Sequence, residues 1–181
     1  YEQAKITVIG VGGGGGNSVN HMINAGIKGV DFICANTDSQ DLTKAQKAKK
    51  ILLGESFTRG LGAGNDPQRG RQAAEKSSAE IQEALKNTEM LFITAGMGGG
   101  TGTGGAPVIA RIAKELGILT VAVITTPFDT EGGLRAEQAG VGVANLTEQV
   151  DCLIEINNQK IFDIFPGDAK FIDGFNEVNE I

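Results

Sequence analysis

Seven of the thirteen residues in AGMGGGTGTGGAP (95–107) are glycine, and none is lysine. Glycine lets a backbone turn through angles closed to other residues and approach an anion closely. Successive amide N–H groups in such a turn, backed by a helix N-terminus, supply the positive potential that phosphate oxygens need. The run Gly98-Gly99-Gly100-Thr101-Gly102-Thr103-Gly104 follows a short apolar stretch, MLFITA (90–95). After it, Val108, Ile109, Ile112, Ala113 and Leu116 recur at helical spacing. That setting predicts a strand–loop–helix phosphate site, because a flexible linker does not usually sit between a buried strand and a helix. Thr101 and Thr103 add hydroxyls that can donate to phosphate or reach a phosphate-bound Mg²⁺. The lysine-bearing loop G-x-x-x-x-G-K-[ST] occurs nowhere in the chain, which excludes the nucleotide hydrolases built on it.

A second glycine run, GVGGGGGNSVN (10–20), follows the strand-like KITVIG (5–10). Gly10, Gly12 and Gly15 satisfy G-x-G-x-x-G, but any loop so rich in glycine contains that pattern. A dinucleotide site would also need an acidic residue at the end of the next strand, and Asp38 in CANTD is placed for it. Taken alone, this run leaves a dinucleotide site and a tight strand–helix turn both open. Two such loops in one sheet make the plain turn a poor account.

The elements that must carry these loops alternate. Strand-like runs at 5–10, 30–36, 90–95, 118–125 and 151–156 are separated by helix-like stretches. Helices are predicted at 17–26, from near Asp41, from Asp66-Pro67 to Asn87, and after the second glycine loop. Another carries Ala139, Val143, Leu146 and Val150 on one face, and a last one starts near Lys170. Strand and helix in alternation predict an α/β domain, a Rossmann-like parallel sheet with helices on both faces. Strands buried on both sides read as continuous apolar runs, as MLFITA and ILTVAVIT do. Ligands of such sheets sit beyond the carboxyl ends of the strands, so function is read from the loops.

At 181 residues the chain is most simply one domain, with one core. Its net charge of −6 argues against a nucleic-acid partner, which would need a basic face. Cys34 and Cys152 match no metal spacing and read as two buried thiols of a reducing cytosol. No apolar run approaches the ~20 residues that span a bilayer, and the start carries no signal peptide. His21 stands on the first helix without a serine–carboxylate pattern and reads as structural. The chain begins and ends inside stretches that look regular, which predicts a piece of a longer protein.

GGGTGTG at 98–104 resembles the signature of the tubulin/FtsZ family, and the likeness covers nearly the whole chain. GVGGGGGNSVN resembles its first phosphate loop, and NTDSQDL (36–42) its second-strand loop. TRGLGAG (58–64) resembles its terminal-phosphate loop, while TPFDTEGGLR (126–135) and IEINNQKIF (154–162) resemble its ribose and base loops. The short loops favour the prokaryotic cell-division branch over tubulin.

The resemblance implies a GTP-binding domain over 1–169 and the start of a central helix over 170–181. Gly13, Gly14, Gly15, Gly16 and Asn17, with Gly98, Gly99, Gly100, Thr101, Gly102, Thr103 and Gly104, would hold the phosphates of GTP or GDP, with Mg²⁺ carried by the nucleotide. Ala63 and Gly64 would face the terminal phosphate. Glu131 would hold the ribose, with Arg135 beside it; their i, i+4 spacing puts both on one helix face, where the plain alternative is an exposed ion pair worth ~0.3–0.5 kcal/mol. Asn158 would read the guanine edge, Phe175 would lie against the base, and Asn179 would hydrogen-bond to it. The choice of guanine rests on the resemblance, since an asparagine amide suits any purine edge.

The family pattern has a small residue and Asn-Pro after GLGAG, where this chain has Asn65-Asp66-Pro67. Asp66 still caps a helix, and its extra carboxylate would either weaken GTP binding or recruit Mg²⁺.

In the family, acidic residues after the central helix position the hydrolytic water in the next subunit's site. The chain stops at Ile181, so it is expected to lack that loop and the C-terminal domain, to bind nucleotide, and to hydrolyse little alone. The expected partners are like subunits in a head-to-tail filament and the C-terminal half of the same protein. Division and membrane-tethering proteins would contact a tail not present, at a cytoplasmic mid-cell ring. A nicotinamide-dependent oxidoreductase and a nucleotide-gated adaptor that never hydrolyses GTP are the competing readings.

Overall fold

Alternation along the strands shows how the sheet comes to be covered twice. The computed structural model describes residues 4–157. In β1 (Ile6–Val11), Ile9 and Val11 join one apolar cluster and Val8 joins another. In β2 (Asp31–Asn36), Ile33 and Ala35 take the first side and Cys34 the second. Side chains of period two thus feed two layers.

The first layer is made by α4 (Pro67–Lys76), α5 (Ser78–Leu85), α6 (Thr101–Glu115) and α7 (Gly133–Thr147). They contribute Ala73, Ile81, Leu85, Ile109, Ile112, Ala139 and Leu146 to the larger cluster. The second layer is α1 (Gly12–Asn24) with the short α2 (Ser39–Thr43), which bring Val19 and Leu42.

Four more strands complete the sheet: β3 (Lys49–Leu52), β4 (Met90–Gly96), β5 (Leu119–Thr126) and β6 (Cys152–Asn157). The order is β3-β2-β1-β4-β5-β6, and every neighbouring pair is parallel. The α/β sheet with helices on both faces is the architecture that the alternation predicts.

Several boundaries differ from the sequence reading, each for a local reason. Helix α1 begins at Gly12 rather than residue 17, so most of the first glycine run is helix and not loop. Glycine is a poor helix former, but tertiary contact overrides it here. A Cβ on Gly15 would stand 2.4 Å from the Thr94 carbonyl oxygen, so only glycine lets α1 lie this close to β4. Helix α2 starts at Ser39 because Asp38 Oδ1 accepts from the amides of Gln40 at 2.8 Å and Asp41 at 3.3 Å. The single helix expected from Asp66 to Asn87 breaks at Ser77, whose Oγ accepts from the Gly54 amide at 2.9 Å. Val150 lies beyond the end of α7. Strand β3 and the helical turn α3 (Glu55–Thr58), four residues each, had no pattern long enough to read.

The two thiols also part company. Cys34 is buried and Cys152 is exposed on the outer strand β6, which corrects the expectation that both are buried. Burial raises the Cys34 pKa from 9.0 to about 11, against a smaller opposing pull from Lys50. Between those two values the unfolded chain loses the thiol proton while the folded chain keeps it, so this group makes stability fall as pH rises from about 9 to about 11. A maleimide applied at neutral pH is expected to label Cys152 alone, with Cys34 reacting only in denaturant. Equal labelling rates in the native chain would contradict the placement of Cys34.

Candidate functional site

The strand order reverses between β1 and β4, and these two strands feed the two glycine-rich helices. Helix α1 leaves β1 toward one face, and α6 follows β4 toward the other. Their N-termini meet over the switch point: a Cβ on Gly12 would stand 3.1 Å from the Gly102 nitrogen. A cleft of about 480 Å³ opens there, lined by Gly12, Gly13 and Gly14 from α1, by Thr101 and Gly102 from α6, and by Gly99 and Gly100 just before α6.

Neither helix start is closed by a side chain. Val11 and Gly100 make no capping hydrogen bond, whereas Asp38 caps α2 and Asp66 caps α4. First-turn amides of a helix have no partner within the helix. Two uncapped starts, each on a helix of thirteen residues or more, therefore aim N–H groups and positive dipole ends into one cleft. That arrangement suits a polyanion.

The remaining walls come from three loops. Gly62, Ala63, Gly64 and Asn65 form one side, tied down by the Gly62 amide donating to the Thr37 carbonyl at 3.0 Å. The Thr37 and Thr101 hydroxyls share a hydrogen bond of 2.6 Å across the cleft floor. On the opposite side, Arg135 Nη1 lies 3.0 Å from Glu131 Oε2, and Glu131 Oε1 accepts from the Phe128 amide at 2.9 Å. Glu131 stands in a 3₁₀ turn (Asp129–Glu131), not on the helix with Arg135 as the spacing suggested. Gly132, at φ 98°, separates the two elements, yet the ion pair still forms.

The structure thus brings Gly13, Gly14, Ala63, Gly64, Gly99, Gly100, Thr101, Gly102, Glu131 and Arg135 to one cleft. Six expected residues lie elsewhere. Gly15 packs on Thr94 and Gly10. Thr103 is buried beneath the loop, and its Oγ1 accepts from the Gly98 amide at 2.8 Å, so it pins the turn rather than facing the cleft. Gly98, at φ 109°, is the turn that it pins. Gly104 meets α4, where a Cβ would stand 1.9 Å from the Pro67 carbonyl oxygen.

Gly16 and Asn17 line a crevice of about 20 Å³ beside the main cleft, sharing Gly12, Gly13 and Asp41 with it. His21 lines neither. Asn158, Phe175 and Asn179 lie outside the described residues.

Asn36, Thr37 and Asp41 were not foreseen as cleft residues. Their signal was position: they follow β2, the neighbour of β1, at its carboxyl end.

All three carboxylates lining the cleft are already engaged. Asp38 caps α2, Glu131 holds Arg135, and Asp41 Oδ1 accepts from Lys44 Nζ at 2.6 Å, which raises the lysine pKa. The cap takes up Asp38 Oδ1 only, and Asp38 still lines the cleft. A larger cleft of about 650 Å³ runs between α4, α6 and α7. It is lined by helix flanks with charges of both signs, and no two glycine-rich helix starts meet over it as they do over the smaller one.

A parallel α/β domain whose two uncapped glycine-rich helices converge at its switch point belongs to the Rossmann-like anion-binding class. Comparison with known proteins narrows it. Residues 5–166 match the family model described as the tubulin/FtsZ family, GTPase domain, and the chain belongs to that family. It is 51% identical over 180 residues to the cell division protein FtsZ of Coxiella burnetii, covering 99% of this chain and 47% of that protein. Against FtsZ of Rickettsia felis the identity is 55% over 176 residues, covering 97% and 39%. Among solved structures, an FtsZ dimer from M. jannaschii superposes with a TM-score of 0.93 at 45% identity, covering 99% of this chain and 52% of that one. CetZ2 of Haloferax volcanii, solved as a GTPγS-bound protofilament, gives 0.84 at 28% identity, covering 97% and 55%. The chain spans about half the length of the curated relatives it matches.

Proposed function

We propose that this chain binds GTP and GDP in the 480 Å³ cleft as the nucleotide-binding part of a self-assembling GTPase of the cell-division ring. The observation that carries the reading is the meeting of two uncapped helix starts over one cleft. The amides of Gly13 and Gly14 and of Gly99 to Gly102 hold the phosphates, and Thr101 adds a hydroxyl. Ala63 and Gly64 face the terminal phosphate, Glu131 holds the ribose, and Arg135 lies on the sugar–phosphate side. Asn158, Phe175 and Asn179 supply the base contacts that the family motif assigns to them. On the same reading, residues 1–169 form the nucleotide domain; the expected start of the central helix over 170–181 lies outside the described residues.

Mg²⁺ fits this site only through the nucleotide. No group of three or more histidine, cysteine or acidic residues is arranged to hold a metal among the described residues. With the lining carboxylates engaged, phosphate oxygens, waters and the Thr37 and Thr101 hydroxyls make up the donor set. The bound ion would neutralise charge on the phosphates. On the family resemblance the residues that orient the attacking water come from the next subunit, so hydrolysis is assigned to a contact in a head-to-tail filament. Amides of the cleft would then stabilise charge developing on the terminal phosphate.

No helix among the described residues is long and apolar enough to cross a membrane, and we place the protein in the cytoplasm at the division site.

Titrating the full chain separately with fluorescent GTP, GDP and NADH tests the binding claim. Saturable binding of both guanine nucleotides and none of NADH is expected. This chain alone should release phosphate only slightly at any protein concentration, since it is expected to lack the loop that completes the site from the next subunit. Binding of NADH in place of guanine nucleotides would overturn the reading.

A further inference from the structure

Helices α4 and α7 both pack on α6 and leave one side of it open between them, as the floor of the larger cleft of about 650 Å³. The floor carries Gly104, Pro107, Val108 and Arg111, which recur at helical spacing along one face of α6. On the α7 wall, Leu134 and Val141 stand two turns apart and are 68% and 58% exposed. Yet α7 already buries Ala139, Gly142 and Leu146 on its packed face. A helix with a satisfied core face and a second apolar stripe along an open groove has surface left for a partner.

Charge selects which partner. The carboxylates of Asp66, Glu75, Glu137 and Glu148 line the groove against only two guanidiniums, Arg71 and Arg111. Asp66 caps α4, and Arg71 Nε is engaged with Glu75 Oε1 at 3.0 Å. Glu137 and Glu148 form no ion pair with a described residue. Lys114 donates to the Glu148 main-chain carbonyl at 3.2 Å, not to its carboxylate. The α7 wall thus sets apolar side chains among two unpaired negative charges about three turns apart. Such a rim repels an anionic membrane, and it repels a second copy of a chain whose own net charge is −6.

We propose that this groove is a docking site for a basic amphipathic helix of a partner protein. The apolar side of that helix covers Leu134, Val141 and Pro107, and its lysines or arginines meet Glu137 and Glu148.

The probe is a synthetic helical peptide of about four turns, with leucines on one face and lysines on its flanks, titrated against the full chain by fluorescence anisotropy. Saturable binding to the parent is expected, and none of a scrambled peptide of the same composition. Glu137→Lys combined with Glu148→Lys should weaken the peptide about tenfold or more, and Leu134→Ser combined with Val141→Ser by a similar factor. Glu55→Lys combined with Glu80→Lys changes the net charge equally at exposed residues outside the groove, and should leave affinity within about twofold. Thermal melting of each variant reports any change in the fold. If the serine pair melts low, the two charge reversals, all at exposed positions, still decide the matter. Equal weakening by the two charge reversals would overturn the proposal, and so would a parent that shows no saturable binding. Preferential binding of the parent to anionic vesicles, or self-association in sedimentation that only the groove variants lose, would give the face another occupant and overturn it too.

Discussion

Gly104→Ala is expected to destabilise the chain by about 3 kcal/mol or more, at the upper end of what overpacking costs. The new methyl group would stand 1.9 Å from the Pro67 carbonyl oxygen and 2.7 Å from the Arg71 nitrogen, both backbone atoms of α4. Backbone cannot yield by changing a rotamer. A Cβ on Gly70 would likewise stand 2.2 Å from the Gly100 carbonyl oxygen, so α4 and α6 cross with main chains in contact along two adjacent glycine positions. Such a crossing can relax only by moving the whole of α4, whose start is tied to the wall at 62–65 by the Asp66 amide donating to the Ala63 carbonyl at 3.2 Å. Gly16→Ala is the control: nothing lies within 4 Å of the added methyl, and alanine in a helix is favoured over glycine by about 0.5–1 kcal/mol. Urea unfolding should show the Gly104→Ala midpoint well below the parent and the Gly16→Ala midpoint at or above it. A parent-like midpoint for Gly104→Ala would mean that α4 and α6 are not in contact there.

This contrast shows what the sequence could say about the glycines and what it could not. Both runs announce close backbone approach, and that much is legible from composition and from the strand before each run. What each glycine approaches is not legible. A helix leaves only its first-turn amides unpartnered, so donors for an anion end within about four residues of the start. Gly12 to Gly14 and Gly99 to Gly102 lie in or just before those turns and line the cleft. Gly15 and Gly104 fall outside that stretch, and there the missing side chain serves packing against Thr94 and Pro67. The motif is one run of letters serving two purposes. Only knowing where each helix begins separates them, and a run of glycines hides that point because glycine has little helix propensity of its own.

The long elements were legible for the opposite reason. MLFITA and ILTVAVIT are apolar without interruption because they are buried on both faces, and they became β4 and β5. Helix α6 carried five apolar residues at helical spacing, and four of them, Val108, Ile109, Ile112 and Ala113, are buried. Thr103 illustrates the limit. Its type suits a phosphate donor, but its direction is set by the Gly98 turn three-dimensionally beside it, and a hydroxyl that accepts from Gly98 turns inward. Glu131 and Arg135 met as expected by a route that spacing did not foresee, with a glycine in place of continuous helix between them.

Gly12→Ala is expected to abolish most nucleotide binding while leaving a folded protein. Gly12 has φ 75°, where an alanine costs roughly 1–2 kcal/mol. Its methyl group would stand 3.1 Å from the Gly102 nitrogen and 3.5 Å from Thr101 Cβ, at the point where the two helix starts meet. The strain alone lowers stability modestly, but displacement of a few tenths of an ångström separates the two rows of amides. A polyphosphate held by both rows would then reach only one. A hydrogen bond to a charged group is worth about 1.5–3 kcal/mol, so losing two costs at least about 3 kcal/mol. At about 1.4 kcal/mol per factor of ten, GDP affinity should fall by about a hundredfold or more. Calorimetric titration of GDP gives the affinity, and a urea melt of the same variant bounds the structural loss at roughly 1–2 kcal/mol. Weakened binding far beyond the lost stability assigns the effect to the meeting of the helices, because a merely unstable variant would lose both in step. Parent-like GDP affinity in Gly12→Ala would mean that one row of amides holds the phosphates alone.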